Sequence, residues 1–166
     1  MHQPANYPSD KQAMYALLNE QMHALIDGCP LPLPALSNCA ALLWEALPEI
    51  NWAGFYLLKK DTLYLGPFQG KVACTVIPVG RGVCGTAAAE RKIQLVPDVH
   101  VFPGHIACDS ASNSEIVLPL IVKGTLVGVM DIDSPVLARF TSEDAEGLGV
   151  LCHTLTDNVC WEDGLL

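Results

Sequence analysis

Only two residues, Lys123 and Gly124, separate the apolar runs EIVLPLIV and TLVGVMDID. A connection that short closes only between antiparallel strands, because parallel neighbours need a crossover of about a dozen residues or more. An antiparallel hairpin therefore sits in the middle of whatever this chain folds into. Upstream the same pattern recurs: NWAGFYLL, then TLYLGPFQ after the polar KKD turn, then VACTVIPV, with Gly and Pro between the runs. A short Ala-rich helix over about 85–91 follows the glycines of GRGVCG, and IQLVPDV reads as a further strand.

Helices belong to the two ends. Segment 9–28 opens with a capping-box spacing, Ser9 with Gln12, and lines up Met14, Leu17, Leu18, Met22 and Leu25 on one stripe. It predicts an amphipathic helix ending at Gly28. The prolines of CPLPLP (29–34) predict a stiff connector to a second helix over about 35–47. Near the C-terminus Thr141 is placed to cap a last helix with Glu143 and Asp144 in its first turn, and Leu148, Leu151, Cys152, Leu155 and Val159 form its buried stripe. Terminal helices around a meandering sheet predict an α+β fold: a largely antiparallel central sheet with the N- and C-terminal helices packed together on one face. The expected organisation is one domain over 1–166, with its core at about 35–160 and the N-terminal helix at about 9–28. That length buries a real core but leaves no room for a sensor module plus an output domain.

Composition narrows the partners. Eighteen acidic residues against nine basic ones give a net charge of -9, a field that repels phosphate backbones and anionic membranes. Nucleic acid and membrane are not expected as partners. The opening MHQPANYPSDKQ is too polar for a secretory apolar segment, so a cytoplasmic location is expected. Seven cysteines are an odd count, for which reduced thiols are the default, and none forms a C-x-x-C pair of the structural-zinc or thioredoxin type.

Several groupings could carry chemistry. Gly80, Gly82 and Gly85 spell G-x-G-x-x-G with Asp98 downstream, but dinucleotide binding needs a parallel βαβ unit, and a tight turn into a short helix accounts for the glycines here. Asp98, His100, His105 and Cys108 could be written as a metal cluster, yet no accompanying ligand signature supports one, and neither a metal nor a cofactor is expected. Cys74, Cys84 and Cys108 fall in the central strand and loop region, whereas Cys39 and Cys152 lie on apolar helical faces, and Cys29 and Cys160 have no evident partners. Along TLVGVMDID the period-2 rule sends Asp131 and Asp133 to one face, and Glu115 opens the adjacent hairpin strand, so three carboxylates either converge or simply face solvent. On NWAGFYLL the same rule puts Trp52, Gly54 and Tyr56 together, as core or as pocket.

The strings NWAGFYLL, LGPFQGKVAC, IPVGRGVCGTA, DVHVFPGHIACDSASNSEIVLPL and GVMDIDS resemble, in order, the free methionine-(R)-sulfoxide reductases, which are stand-alone GAF domains. The resemblance spans about residues 35–150. It implies a GAF-type fold and a thiol enzyme whose nucleophile, the cysteine of HIAC, is here Cys108. It further implies Cys74 as the resolving thiol, with Cys84 as the alternative resolver. Trp52 and Tyr56 become the aromatic wall around the substrate's methyl end, with Glu115, Asp131 and Asp133 on the polar side. The CPLPLP connector and the extra Cys152 and Cys160 depart from the family pattern.

Sulfur chemistry then orders the steps. Attack of the Cys108 thiolate on a sulfoxide sulfur needs a proton donor beside the oxygen, and clustered carboxylates that repel one another keep one protonated. Glu115 and Asp133 are the candidates for donor, and Asp131 for substrate binding. The sulfenic acid left on Cys108 condenses with a second thiol, and an external dithiol, thioredoxin by resemblance, restores both. The competing readings are a non-catalytic GAF module that senses a small effector, and an inactive subunit that contributes only a homodimer surface through its terminal helices.

Overall fold

The computed structural model describes residues 6–104, 106 and 110–162. Six strands form one sheet in the order β3-β2-β1-β6-β5-β4, and every neighbouring pair is antiparallel. They are β1 (Trp52–Lys59), β2 (Thr62–Gly70), β3 (Val76–Pro78), β4 (Gln94–Val96), β5 (Ser114–Val122) and β6 (Thr125–Ser134). The hairpin expected at Lys123 and Gly124 joins β5 to β6.

Alternation along the strands builds two cores. Odd-numbered Ala53, Phe55 and Leu57 of β1 join Ile116, Leu118 and Leu120 of β5 and Met130 and Ile132 of β6 beneath three helices. These are α1 (Lys11–Gly28), α2 (Pro32–Ala46) and α4 (Ser142–Asn158), so the terminal helices do share one face. Even-numbered Trp52 and Tyr56 face the other way, with Val117 and Val129, under α3 (Gly82–Glu90). No helix among the described residues is long and apolar enough to cross a membrane.

The helix ends differ in detail from the sequence expectations. Asp10, not Ser9, caps α1, its carboxylate accepting from Ala13 N at 2.9 Å, and the buried stripe is Met14, Tyr15, Leu18, Met22 and Ile26, with Leu17 and Leu25 at its flanks. The connector is shorter than CPLPLP. Pro32 and Pro34 lie inside the first turn of α2, where a helix has no use for their missing N–H groups. At α4 the expected cap forms: Thr141 and Asp144 bond reciprocally in a capping box. Asp144 is fully buried and also takes bonds from Tyr15 Oη (2.8 Å) and Lys11 Nζ (2.5 Å), which tie α4 to α1.

The run VACTVIPV contributes less strand than expected, for β3 holds only Val76–Pro78 and Cys74 lies in the loop before it. Leu65 N reaches Thr75 O at 3.1 Å as the last bond on that edge. Beyond it β2 carries an irregularity and then Pro67, which has no N–H to continue a ladder.

Candidate active site

Three strands set the polar floor. Across the sheet Trp52 pairs with Asp133 and Asp133 with Glu115; the next row on that face pairs Gly54 with Asp131 and Asp131 with Val117. The carboxylates of β5 and β6 thus converge beside the aromatic residues of β1, and the solvent-facing alternative is excluded for Glu115 and Asp131, each only 6% exposed. Asp133 is half-buried. Together with Cys84 and Arg81 from the start of α3, and Ile106 and Ser112 from the loop before β5, they line a pocket of about 510 Å³, its open mouth included.

The wall is a three-ring stack. Trp52 lies between Tyr56, with ring centroids 5.8 Å apart, and Phe68, at 5.2 Å. Phe68 escaped the sequence analysis because β2 changes parity: Leu63 and Leu65 face this side, and an extra residue at Gly66–Pro67 turns Phe68 rather than residue 67 toward it. Gly54 was the available signal. A Cβ there would stand 2.3 Å from Phe68 Cβ and 2.8 Å from Pro67 O, so only glycine lets the two strands approach this closely. The wall also holds the loop that carries Cys74: Trp52 Nε1 donates to Lys71 O (3.2 Å) and Tyr56 Oη to Cys74 O (3.1 Å).

The sequence cysteines occupy distinct settings. Cys74 is half-buried and disulfide-bonded, while Cys29, Cys39, Cys84, Cys152 and Cys160 are free. Cys84 sits in α3 rather than in a strand or loop and is 4% exposed, its thiol directed at Glu115 Oε1, 4.0 Å away. Burial, with the charges of Asp131 and Glu115, pushes that thiol well above its ordinary range. Cys108 and His105 lie outside the described residues. The other members of the supposed metal cluster are engaged locally: Asp98 accepts from His100 N, and His100 Nε2 bonds Asn113 Oδ1, both at 2.9 Å.

Burial and like charge shape the ionisation of the pocket acids. Burial first, then the charges of Asp131 and Asp133, raises Glu115 well above the usual carboxylate range, and burial raises Asp131 to about 6. The two share a hydrogen bond, and the burial and like charge that raise Glu115 favour its protonated form. Among the described residues Asp131 Oδ1 has no hydrogen-bond partner. Opposite them the chain turns at Gly82 (φ 64°), which lies against Ile106 and starts α3 so that its first residues line the pocket. The glycines of GRGVCG thus serve this turn, in an antiparallel setting, and their helix end is a ready partner for an anion. Neither that end nor Arg81 beside it figured in the sequence expectations.

Residues 32–156 match the GAF domain family. Over 146 residues, 88% of each chain, the sequence is 63% identical to the free methionine-R-sulfoxide reductase of Escherichia coli K12. The chain belongs to the free methionine-R-sulfoxide reductase family. The Saccharomyces cerevisiae member of this family is 46% identical over 90% of this chain and 89% of its own. The crystal structure of the Neisseria meningitidis free methionine-R-sulfoxide reductase, in complex with its substrate, superposes with a TM-score of 0.91 at 44% identity, covering 95% of both chains. The expected GAF-type α+β fold is thereby established for the family and for this chain.

Proposed function

We propose that this chain, acting as one domain, reduces free methionine-(R)-sulfoxide to methionine, with Cys108 as nucleophile. The observation that carries the reading is the juxtaposition of a buried Glu115 raised well above the carboxylate range, a buried Asp131 and an aromatic stack in one pocket. The substrate's ammonium group pairs with Asp131 and Asp133, its carboxylate with Arg81 and the first N–H groups of α3, and its methyl end with Trp52, Tyr56 and Phe68. Every part of a free amino acid then has a complement.

In the reaction the Cys108 sulfur attacks the sulfoxide sulfur while Glu115, or Asp133 as the alternative donor, protonates the oxygen. The substrate sulfur gains two electrons and is released as a thioether; the oxygen ends on Cys108 as a sulfenic acid. A second thiol then expels water and forms a disulfide. Cys74 is the first choice, supported by its disulfide-bonded state while the buried Cys84 thiol is free. Cys84 remains the alternative resolver. An external dithiol of the thioredoxin class reduces the disulfide, and Val72, 88% exposed beside the Cys74 loop, offers it an apolar contact. A cytoplasmic location, where such reductants act, and a homodimer through the helix layer, where Trp44 and Val150 are exposed, complete the proposal.

The test is turnover with dithiothreitol on four substrates: the free R and S epimers and the N-acetylated and peptide-embedded R forms. Fast reduction of the free R epimer alone is expected, since a blocked amine leaves a buried carboxylate unpaired. Equal rates on free and blocked R-sulfoxide would overturn the enclosed site, and no turnover at all would leave the sensor reading.

A further inference from the structure

We propose that the Tyr56 hydroxyl is a positioning group for Cys74: its hydrogen bond to the Cys74 carbonyl orders the loop between β2 and β3 for disulfide formation. The inference rests on the reading of Cys74 as the resolving thiol, and it gives the aromatic wall a second task. Tyr56 Oη donates to Cys74 O at 3.1 Å, and Trp52 Nε1 donates to Lys71 O at 3.2 Å. The two indole and phenol rings are themselves stacked, with centroids 5.8 Å apart. One rigid aromatic pair in β1 therefore holds the loop near both of its ends.

The loop has reason to need such ties. β2 ends at Gly70 and β3 begins at Val76, so residues 71–75 lie outside the strands, with Lys71 and Thr75 exposed and Val72 88% exposed. Chain of that kind keeps backbone freedom that must be removed before a cysteine within it can meet another sulfur. The turn at Gly70 (φ 127°) delivers it to the first donor. A Cβ at Gly70 would stand 2.8 Å from Trp52 Cδ1, the atom beside Nε1, so the chain passes along the indole edge that carries the N–H.

Tyr56 acts here through Cys74 and not on a reacting atom. A phenol has a single proton to donate, and the Cys74 carbonyl takes it. Burial, with the charge of Asp131, raises the phenol above its ordinary range, so the donor keeps its proton at working pH. Cross-linking and the hydrogen bond then support each other. A bond that is tighter when Cys74 is cross-linked than when it is a thiol favours the cross-link by the same factor. Without the hydroxyl the loop loosens in the thiol form, where no covalent bond restrains it, and the effective concentration of the Cys74 sulfur falls.

Tyr56→Phe keeps the ring and removes only the hydroxyl. Wild type and variant are equilibrated, without sulfoxide, in mixtures of reduced and oxidised dithiothreitol: two protein thiols give two electrons and two protons to the oxidised reagent, whose S–S bond opens as the protein's forms. Acid quenching, alkylation and peptide mass spectrometry give the fraction of Cys74 in the disulfide. The ratio of disulfide to dithiol should fall by about fivefold in Tyr56→Phe, the factor set by one net hydrogen bond. Tyr64→Phe, which strips the hydroxyl from an exposed tyrosine of β2, should leave the ratio within about twofold of wild type. A hydroxyl that served folding alone would destabilise both redox forms alike and leave the ratio unmoved. A Tyr56→Phe ratio within about twofold of wild type, or an equal fall in Tyr64→Phe, would overturn the positioning role. A wild type that forms no disulfide at Cys74 would overturn it together with the resolver assignment. Sulfoxide turnover does not enter the measurement, so its absence would remove the proposed function and not this role.

Discussion

Asp131 costs the fold stability at neutral pH, and replacing it with asparagine should return that stability in a pH-dependent way. The carboxyl lies under α3 among Glu115, Cys84, Asp133 and Tyr56, with Arg81 at the rim, and burial raises it from 3.8 to about 6. Below about pH 4 both folded and unfolded chains carry the proton, so the group contributes nothing. Between pH 4 and 6 the unfolded chain ionises while the folded one holds its proton, and stability falls by up to about 1.4 kcal/mol per unit. Above pH 6 the loss is complete at about 3 kcal/mol. Asp131→Asn keeps the shape and an acceptor for the Glu115 and Cys84 hydrogen bonds while removing the ionisation. Urea unfolding of both proteins, in chelator-containing buffer at intervals from pH 4 to 8, measures the difference between them. That difference should move in favour of the variant by about 3 kcal/mol over the range, whatever its value at pH 4. A difference that stays flat within about 1 kcal/mol, or moves toward the wild type, would refute the argument that desolvation dominates this carboxyl.

Cys108→Ser should abolish even a single turnover, and Cys74→Ser should release one equivalent of methionine and then stall with thioredoxin; methionine released by Cys108→Ser in a rapid-quench assay contradicts the assignment. Glu115→Gln is expected to slow sulfoxide reduction by about 10²–10⁴-fold with the fold intact, and Asp133→Asn to do so if it is the donor instead; rates within about twofold of wild type for both would remove the carboxylates from the chemistry. Asp144→Ala should destabilise the protein by about 3–5 kcal/mol, read from chemical denaturation, because it leaves Arg139 and Lys11 without their buried partner. Burial alone would raise the Asp144 carboxyl, but the bonds from Lys11, Thr141 N and Tyr15 outweigh it and hold it low, so its contribution is present above the unfolded carboxylate range and is lost as the pH falls through the lowered value.

What was legible in the sequence is what depends on local period. Residues Trp52, Tyr56, Glu115, Asp131 and Asp133 could be placed on one face because their strands alternate without interruption, and the Lys123–Gly124 turn sets the register between β5 and β6. Phe68 was not legible, since one extra residue in β2 reverses the alternation between Leu65 and it. Cys74 was misplaced in a strand for a related reason: VACTVIPV has strand composition, but pairing is a property of the neighbour, and Pro67 in that neighbour does not supply it. The prolines of α2 were read as breakers when their position in the first turn makes them starters. The glycines of GRGVCG announced the turn into α3, but not that it brings Arg81 and the first residues of the helix to the pocket, which depends on the packing of Gly82 beside Ile106.

The two faces of β1 divide the molecule's requirements. Ala53 and Phe55 are fully buried in the apolar core under the helix layer, while Trp52 and Tyr56, one residue away on either side, wall a pocket whose acids are desolvated and mutually repelled. Such a pocket lowers stability and must be held in shape by something that does not share its chemistry. The helix-side core is that support, because the same backbone bonds that align β1 with β6 hold Asp131 and Asp133 in place from below. A one-residue slip of β1 would therefore do more than shift a register. It would turn Trp52 into the helix layer and Phe55 toward Asp131, so the hydrophobic demand of one face specifies the position of the reacting groups on the other.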